Sequence, residues 1–406
     1  MRILILTPQL PYPPHQGTSM RNYGLIRHLA SRHAVTLLSI LAPGDQIDRE
    51  SPLNGLCERV SGVPQPERTL TQRLWTTLTS RLPDMAHRLA CPEFGDLLTQ
   101  VLEECSFDVV QFEGIEMIPY LDTVLEVRRQ GAHKPLLVFD DHNAEYVLQR
   151  RVCEMDRKIP RRWPGALYSF VQWQKLRRYE ARACRGVDVV IAVSGPDAAA
   201  LQRIVPGLPV TVVPNGIEMS EYVQLDAEGF LPPNSLVFTG KMDYRPNVDA
   251  ALWFAQQVLP RVRSHLPDAT FYIVGQRPHP RLDILRDQPG IVVTGWVPET
   301  IPYIANAAVY VIPLRSGGGT RFKVLEGMAM RKPIVSTSMG CDGFPVVSGR
   351  EVLLVDDAEG FADRVVGLLS DAERQLALGE AGYQFAAQYD WSVLVPTLEA
   401  AYSAVL

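Results

Sequence analysis

Short apolar runs alternate with longer amphipathic stretches along most of the chain. Residues 3–6, 35–41, 107–112, 136–139, 187–193 and 210–213 are short, largely apolar segments, the pattern of strands buried on both faces of a parallel sheet. Between them, residues 20–32, 70–89 and 94–104 carry apolar positions at helical spacing. Residues 43–66 read as irregular and polar. After Pro214 the alternation restarts. Strands are expected over 235–240, 269–275, 291–295, 309–313, 333–337 and 352–355. Helices are expected over 248–258, stopped by Pro260, and over 299–305, 360–369, 371–388 and 395–405. Repeated strand–helix alternation predicts an α/β fold made of two parallel-sheet units.

Several of these strands end in polar residues. The strand at 107–112 runs into Glu113-Gly114, and that at 136–139 into Asp140-Asp141-His142-Asn143. The strand at 3–6 is followed by a Pro- and Gly-rich loop that ends at Gly17-Thr18 and opens a helix. Ligands of open α/β sheets bind at such C-terminal strand ends.

One stretch combines more signals than the others. After the apolar run VYVIPL (309–314) comes SGGGTRFKVLEGMAM (316–330), then PIVST (333–337). Three glycines bring the backbone close to a ligand, and the helix that follows offers unpaired N–H groups to an anion. Arg321 and Lys323 open that helix, where the dipole favours acids. A phosphate facing them resolves the conflict. Glu326 stands among Val324, Leu325, Met328 and Ala329, and a carboxylate in apolar surroundings needs donors such as the two hydroxyls of a ribose. The plain alternatives are a tight connection and a surface Lys323–Glu326 pair.

The chain has 406 residues, 46% hydrophobic and 21% charged, with a net charge of −5. The acidic balance argues against nucleic acid as a partner. No apolar run approaches the roughly 20 residues that cross a bilayer, and the opening apolar segment is too short for a signal peptide. The six cysteines form no C-x-x-C pair, as expected of reduced thiols in a cytoplasmic protein. Charge is uneven. Residues 148–185 hold eleven Lys or Arg against three Asp or Glu, a local +8 that leaves −13 on the rest. Trp163, Tyr168, Phe170, Trp173 and Tyr179 are interleaved. Basic aromatic helices fit an anionic membrane surface; the alternative is a solvated basic face over core aromatics.

The segments VVPNGIE (212–218), FTGKMDYRPNVDAALWF (238–254), FYIVG (271–275), VTGWV (293–297) and GGGTRFKVLEGMAMRKPIVST (317–337), with the Gly17 loop, occur in the order found in one family. The chain resembles retaining glycosyltransferases of the family 4 type, in the sub-branch of exopolysaccharide pathways. The resemblance implies a GT-B fold, two Rossmann-like domains facing each other across a cleft. Residues 1–214 would be the acceptor-side domain, with the helix at 390–406 packed back on it, and 215–389 the nucleotide-sugar domain. It implies transfer of a sugar from a nucleoside-diphosphate sugar, most simply a UDP-sugar, to a saccharide or lipid-linked acceptor with retained configuration.

Roles are implied residue by residue. Glu326 would hold the ribose, and Lys241 the diphosphate together with Lys323. Gly319 and Thr320 would offer N–H groups to phosphate, Gly17 and Thr18 would close over it, and Val297 would meet the base. Two positions depart from the family pattern: Gly318 stands where many members carry a Glu, and Asn247 where many carry a base, for which Arg245 or Lys323 would substitute. Glu113 and His142 are the candidates on the acceptor side; a simple His142–Asp141 hydrogen bond is the plain alternative for the histidine. Asp140, Asp141 and Glu145 raise the question of a metal. The enzymes resembled need none and no D-x-D motif is present, so no cofactor is expected. An epimerase on the same fold and a non-catalytic nucleotide-sugar binder are the competing functions.

Overall fold

The computed structural model describes residues 1–14, 17–130, 134–222, 230–317 and 321–406. The chain divides into two compact units, Met1–Asn215 with Trp391–Leu406, and Gly216–Asp390.

The first unit holds a seven-stranded parallel sheet of β1 (Arg2–Thr7), β2 (Ala34–Leu41), β3 (Arg59–Pro64), β4 (Val109–Glu113), β5 (Leu136–Asp141), β6 (Val189–Ala192) and β7 (Val210–Val212). Its order is β3-β2-β1-β4-β5-β6-β7. Both faces are covered. Leu4 and Leu6 of β1 enter one apolar cluster, and Ile3 and Ile5 enter the other, as the two-residue period of a strand requires. Helix α1 (Gly17–Ala30) follows β1. Later come α2 (Leu70–Thr79), α3 (Glu145–Asp156) and α4 (Trp163–Gly186), the last two packed as a hairpin.

The second unit has a six-stranded parallel sheet, ordered β10-β9-β8-β11-β12-β13. Its strands are β8 (Ser235–Thr239), β9 (Thr270–Val274), β10 (Ile291–Gly295), β11 (Val309–Ile312), β12 (Ile334–Ser336) and β13 (Leu353–Leu354). Helices α5 (Arg245–Trp253) and α6 (Phe322–Ala329) follow β8 and β11. The final helix, α7 (Trp391–Ser403), returns to the first unit, where Trp391, Leu394, Leu398 and Tyr402 pack with Leu25, Ile26 and Leu29 of α1. Gly24 makes this possible, because a Cβ there would lie 2.1 Å from Trp391 Nε1.

Three local expectations are corrected. Residues 59–64, expected to be irregular, form the edge strand β3; no residue of it is fully buried, so it carries no apolar run. The helix expected over 70–89 ends at Thr79 and resumes at Asp84–Arg88, because Pro83 between them has no N–H to continue the ladder. Pro260 does not stop its helix. A π-turn (Phe254–Val258) leads into Leu259–His265, where Pro260 occupies the first turn and no N–H is required of it.

Candidate functional site

Each sheet reverses its direction of growth once, between β1 and β4 in the first unit and between β8 and β11 in the second. The crevice outside the carboxyl ends of such strands is where open α/β sheets bind ligands. Glu113 ends β4 in the first unit, and Lys241 and Lys323 follow β8 and β11 in the second.

In the second unit β8 ends at Thr239. Lys323, in the first turn of α6, donates from Nζ to the Thr239 carbonyl at 3.0 Å and to Asn247 Oδ1 at 3.1 Å. Its ammonium lies 4.5 Å from the centre of the Phe238 ring. Asn247 is buried and donates from Nδ2 to the Lys241 carbonyl at 3.0 Å. Gly240 (φ +155°) permits this: a Cβ there would stand 2.7 Å from Asn247 Nδ2 and 3.1 Å from Lys323 Nζ. Burial pushes the Lys323 ammonium down to about 7, against the pull of Glu326.

Glu326, one turn further along α6, is half-buried. Burial raises its carboxyl above the usual range, opposed by Lys323 and by Tyr222, whose hydroxyl reaches Oε1 at 3.5 Å. Arg321, at the N-cap of α6, is buried, and the first turn of this helix carries no acid. Lys241 is half-exposed, 3.9 Å from Asp243, a carboxylate that Arg277 also approaches at 3.9 Å. Arg245 is exposed at the start of α5, and Val297 packs half-buried against the core. Gly318, Gly319 and Thr320 lie outside the described residues.

In the first unit Glu113 ends β4, opposite Asp140 of β5. His142 Nε2 is 2.8 Å from Glu113 Oε2. The other Glu113 oxygen accepts from Gln111, and Gln111 accepts from the Tyr402 hydroxyl of α7. Burial works against charge on the His142 ring, but the Glu113 hydrogen bond and the charges of Glu113 and Asp140 outweigh it and raise its pKa. The His142–Asp141 pairing considered from sequence is therefore not formed. Asp141 is buried with neither carboxylate oxygen hydrogen-bonded; burial, with Glu180, Glu145 and Asp197 near, raises it well above the carboxylate range. Gly17 is exposed and Thr18 half-buried at the start of α1.

No motif in the sequence singles out Arg21. It is 1% exposed and clamps Asp140, with Nη2 at 2.9 and 2.8 Å from the two oxygens and Nε at 3.1 Å. Nη1 ties Val213, Pro214 and Asn215 to the same point, at 3.0, 3.2 and 3.2 Å. The available signal was an arginine four residues before Leu25 on the apolar face of an amphipathic helix. Tyr402 and Gln111 gave none, being 291 residues apart. Among the described residues, Glu113, Asp140 and His142 bring one potential ligand atom each within 4.8 Å of one another. Arg21, Gln111 and the Glu113–His142 bond already use those atoms, so the group is organised as a hydrogen-bonded network.

Residues 16–221 match the family described as Glycosyltransferase Family 4, and residues 233–371 match Glycosyl transferases group 1. A phosphatidyl-myo-inositol mannosyltransferase of Mycolicibacterium smegmatis is 26% identical over 213 residues, 49% of this chain and 53% of that protein. A D-inositol 3-phosphate glycosyltransferase of Corynebacterium urealyticum is 34% identical over 96 residues, 23% of each. The chain thus spans about half, or less, of the length of these curated relatives. Among solved structures, Anabaena HepE in complex with UDP and glucose superposes with a TM-score of 0.65 at 14% identity over 99% of both chains. Sucrose-phosphate synthase of Thermosynechococcus elongatus does so at 0.71 and 16% identity, over 100% of this chain and 99% of that one. These structures share the fold, two Rossmann-like units of the GT-B type. With one family match covering half of the chain and a second covering most of the other unit, the chain belongs to glycosyltransferase family 4.

Proposed function

We propose that the protein transfers a sugar from a nucleoside-diphosphate sugar to a saccharide or lipid-linked acceptor, with retention at the anomeric carbon. UDP is the expected carrier, since HepE, which shares the fold, is solved with UDP and glucose. The observation that carries the reading is the position of Lys323. It is a half-buried amine at the β8/β11 reversal, held by Asn247 and the Thr239 carbonyl, with Glu326 one turn away. In this reading the second unit takes the donor and the first the acceptor.

Glu326 accepts from the ribose hydroxyls, and Val297 lies beside the base. As the bond from the anomeric carbon to the diphosphate oxygen breaks, negative charge grows on the leaving group. Lys323, Lys241 and Arg245 stabilise that charge, an interaction that strengthens toward the transition state. The family resemblance adds the amides of Gly319 and Thr320 as donors to phosphate. With side-chain cations in this role, the reading needs no metal. Glu113 fixes the His142 ring and sustains its charge, and both serve the incoming acceptor hydroxyl.

The +8 segment at 148–185 supports an acceptor met at an anionic membrane surface, on the cytoplasmic face. The relative named as a phosphatidyl-myo-inositol mannosyltransferase also favours a glycolipid or polysaccharide product. Incubation with labelled UDP-sugars and analysis of the products tests the reading. Transfer to an acceptor is expected; isomerised sugar would make the protein an epimerase, and UDP binding without turnover would make it a binder.

A further inference from the structure

Helix α2 is amphipathic with its apolar face outward. Leu70, Leu74 and Leu78 recur every fourth residue, and Trp75 is the i−3 neighbour of Leu78 on the same side. They are 74%, 63%, 83% and 69% exposed, in the order Leu70, Leu74, Leu78, Trp75. No residue of α2 is buried. Its inner side is polar instead: Thr76 and Thr77 are half-buried, and the other residues of the helix are exposed.

Polar contacts hold the helix to the unit. Arg68 donates to Thr76 Oγ1 at 2.9 Å and pairs with Asp84 at 3.1 Å. Arg73 reaches Asp84 at 3.2 Å, and Lys175 of α4 donates to the Thr77 carbonyl at 2.7 Å. A capping box between Thr69 and Gln72 fixes the start of the helix. A surface helix normally turns its apolar stripe to the core, so a helix anchored by its polar side has its apolar side reserved for something else.

The neighbouring hairpin identifies the occupant. Helix α4, to which α2 is bonded, carries exposed Trp163, Leu167 and Phe170, which line a cleft of about 400 Å³ with Arg150, Glu154 and Arg157 of the α3 side. The same hairpin supplies most of the +8 segment. Leucine and tryptophan on one face, with arginines and lysines beside them, match the boundary between acyl chains and anionic headgroups. An acidic protein groove would satisfy the cations, but it leaves the exposed leucines and tryptophan of α2 without an apolar partner. We propose that α2 inserts Leu74, Trp75 and Leu78 into the headgroup–acyl boundary of an anionic phospholipid bilayer, with the hairpin cations on the headgroups. The proposal rests on the lipid-linked acceptor reading for its purpose, and its test requires no acceptor.

The full chain is sedimented with vesicles of phosphatidylglycerol and phosphatidylcholine, and with phosphatidylcholine alone. Binding to the anionic vesicles is expected, and Leu74→Gln/Leu78→Gln weakens it on the order of tenfold or more. Brominated lipid quenches wild-type tryptophan emission, and part of that quenching disappears in Trp75→Phe. Circular dichroism and thermal unfolding check that each variant is folded. Equal vesicle binding by the double variant, no binding by the wild type, or unchanged quenching in Trp75→Phe overturns the insertion. A wild-type dimer that the double variant dissociates, with vesicle binding unchanged, also overturns it and assigns the face to a second copy. Failed vesicle binding with sugar transfer intact sinks only the membrane contact; vesicle binding without UDP binding sinks only the transferase reading.

Discussion

Lys323 Nζ lies 3.1 Å from Asn247 Oδ1, so an amide on α5 and an ammonium on α6 meet beyond the end of β8. The same ammonium lies over the Phe238 ring and against the Thr239 carbonyl. The charge enters the site from the helix after the glycine loop, and Gly240 leaves the room for it.

That geometry predicts proton uptake. Burial holds the Lys323 pKa at about 7, so at pH 8 the free protein carries it mostly neutral. A bound diphosphate favours the charged form and raises the pKa, and a proton is taken from solution. The enthalpy of UDP binding at pH 8 should therefore depend on the ionisation enthalpy of the buffer. Lys323→Met should remove that dependence, and a buffer-independent wild-type enthalpy would contradict the assignment.

Alanine at Lys241 or Lys323 should lower kcat more than it raises KM, because the leaving-group charge is largest in the transition state. Unchanged kcat with a raised KM at Lys241 would place that cation in ground-state binding.

Glu326→Ala should weaken UDP binding by about 1.5–3 kcal/mol, the range for hydrogen bonds to a charged group. Circular dichroism should be unchanged. UDP affinity equal to wild type by calorimetry would take the ribose away from this residue.

For His142 the folded pKa is raised. Its contribution to stability is fully present below the unfolded value of about 6.5 and is lost as pH rises through the folded value. Glu113→Gln should return the His142 pKa, followed by NMR of the imidazole, toward or below the ordinary value, and should move the pH limb of activity with it. A titration identical to wild type would show that Glu113 does not sustain the charge.

Arg21→Met leaves the Asp140 carboxylate buried without its partner, and should cost about 3–5 kcal/mol of stability. Arg21→Met combined with Asp140→Leu should recover part of that loss. Denaturant unfolding of both variants checks this, and a double variant less stable than the single one by the full cost of a second mutation would show that the two side chains do not act as a pair.

The sequence by itself determined the parallel sheets and marked one candidate stretch for a phosphate ligand. Strands buried on both faces have to be continuous apolar runs, and Gly317, Arg321, Lys323 and Glu326 sit within ten residues of each other, close enough for their chemistry to show as a local pattern. The edge strand β3 escaped because an edge needs no apolar run. The Asn247–Lys323 substitution could be named from sequence only as one of two options, because Arg245 and Lys323 are equally cationic on paper. Only the tertiary structure shows that Lys323 of α6 reaches the Thr239 carbonyl at the end of β8 and Asn247, while Arg245 stays exposed. Only the structure joined Arg21 to Asp140 and Tyr402 through Gln111 to Glu113. These contacts depend on strand order and on the return of the last helix to the first unit. Long-range closure of that kind leaves no spacing rule in the chain.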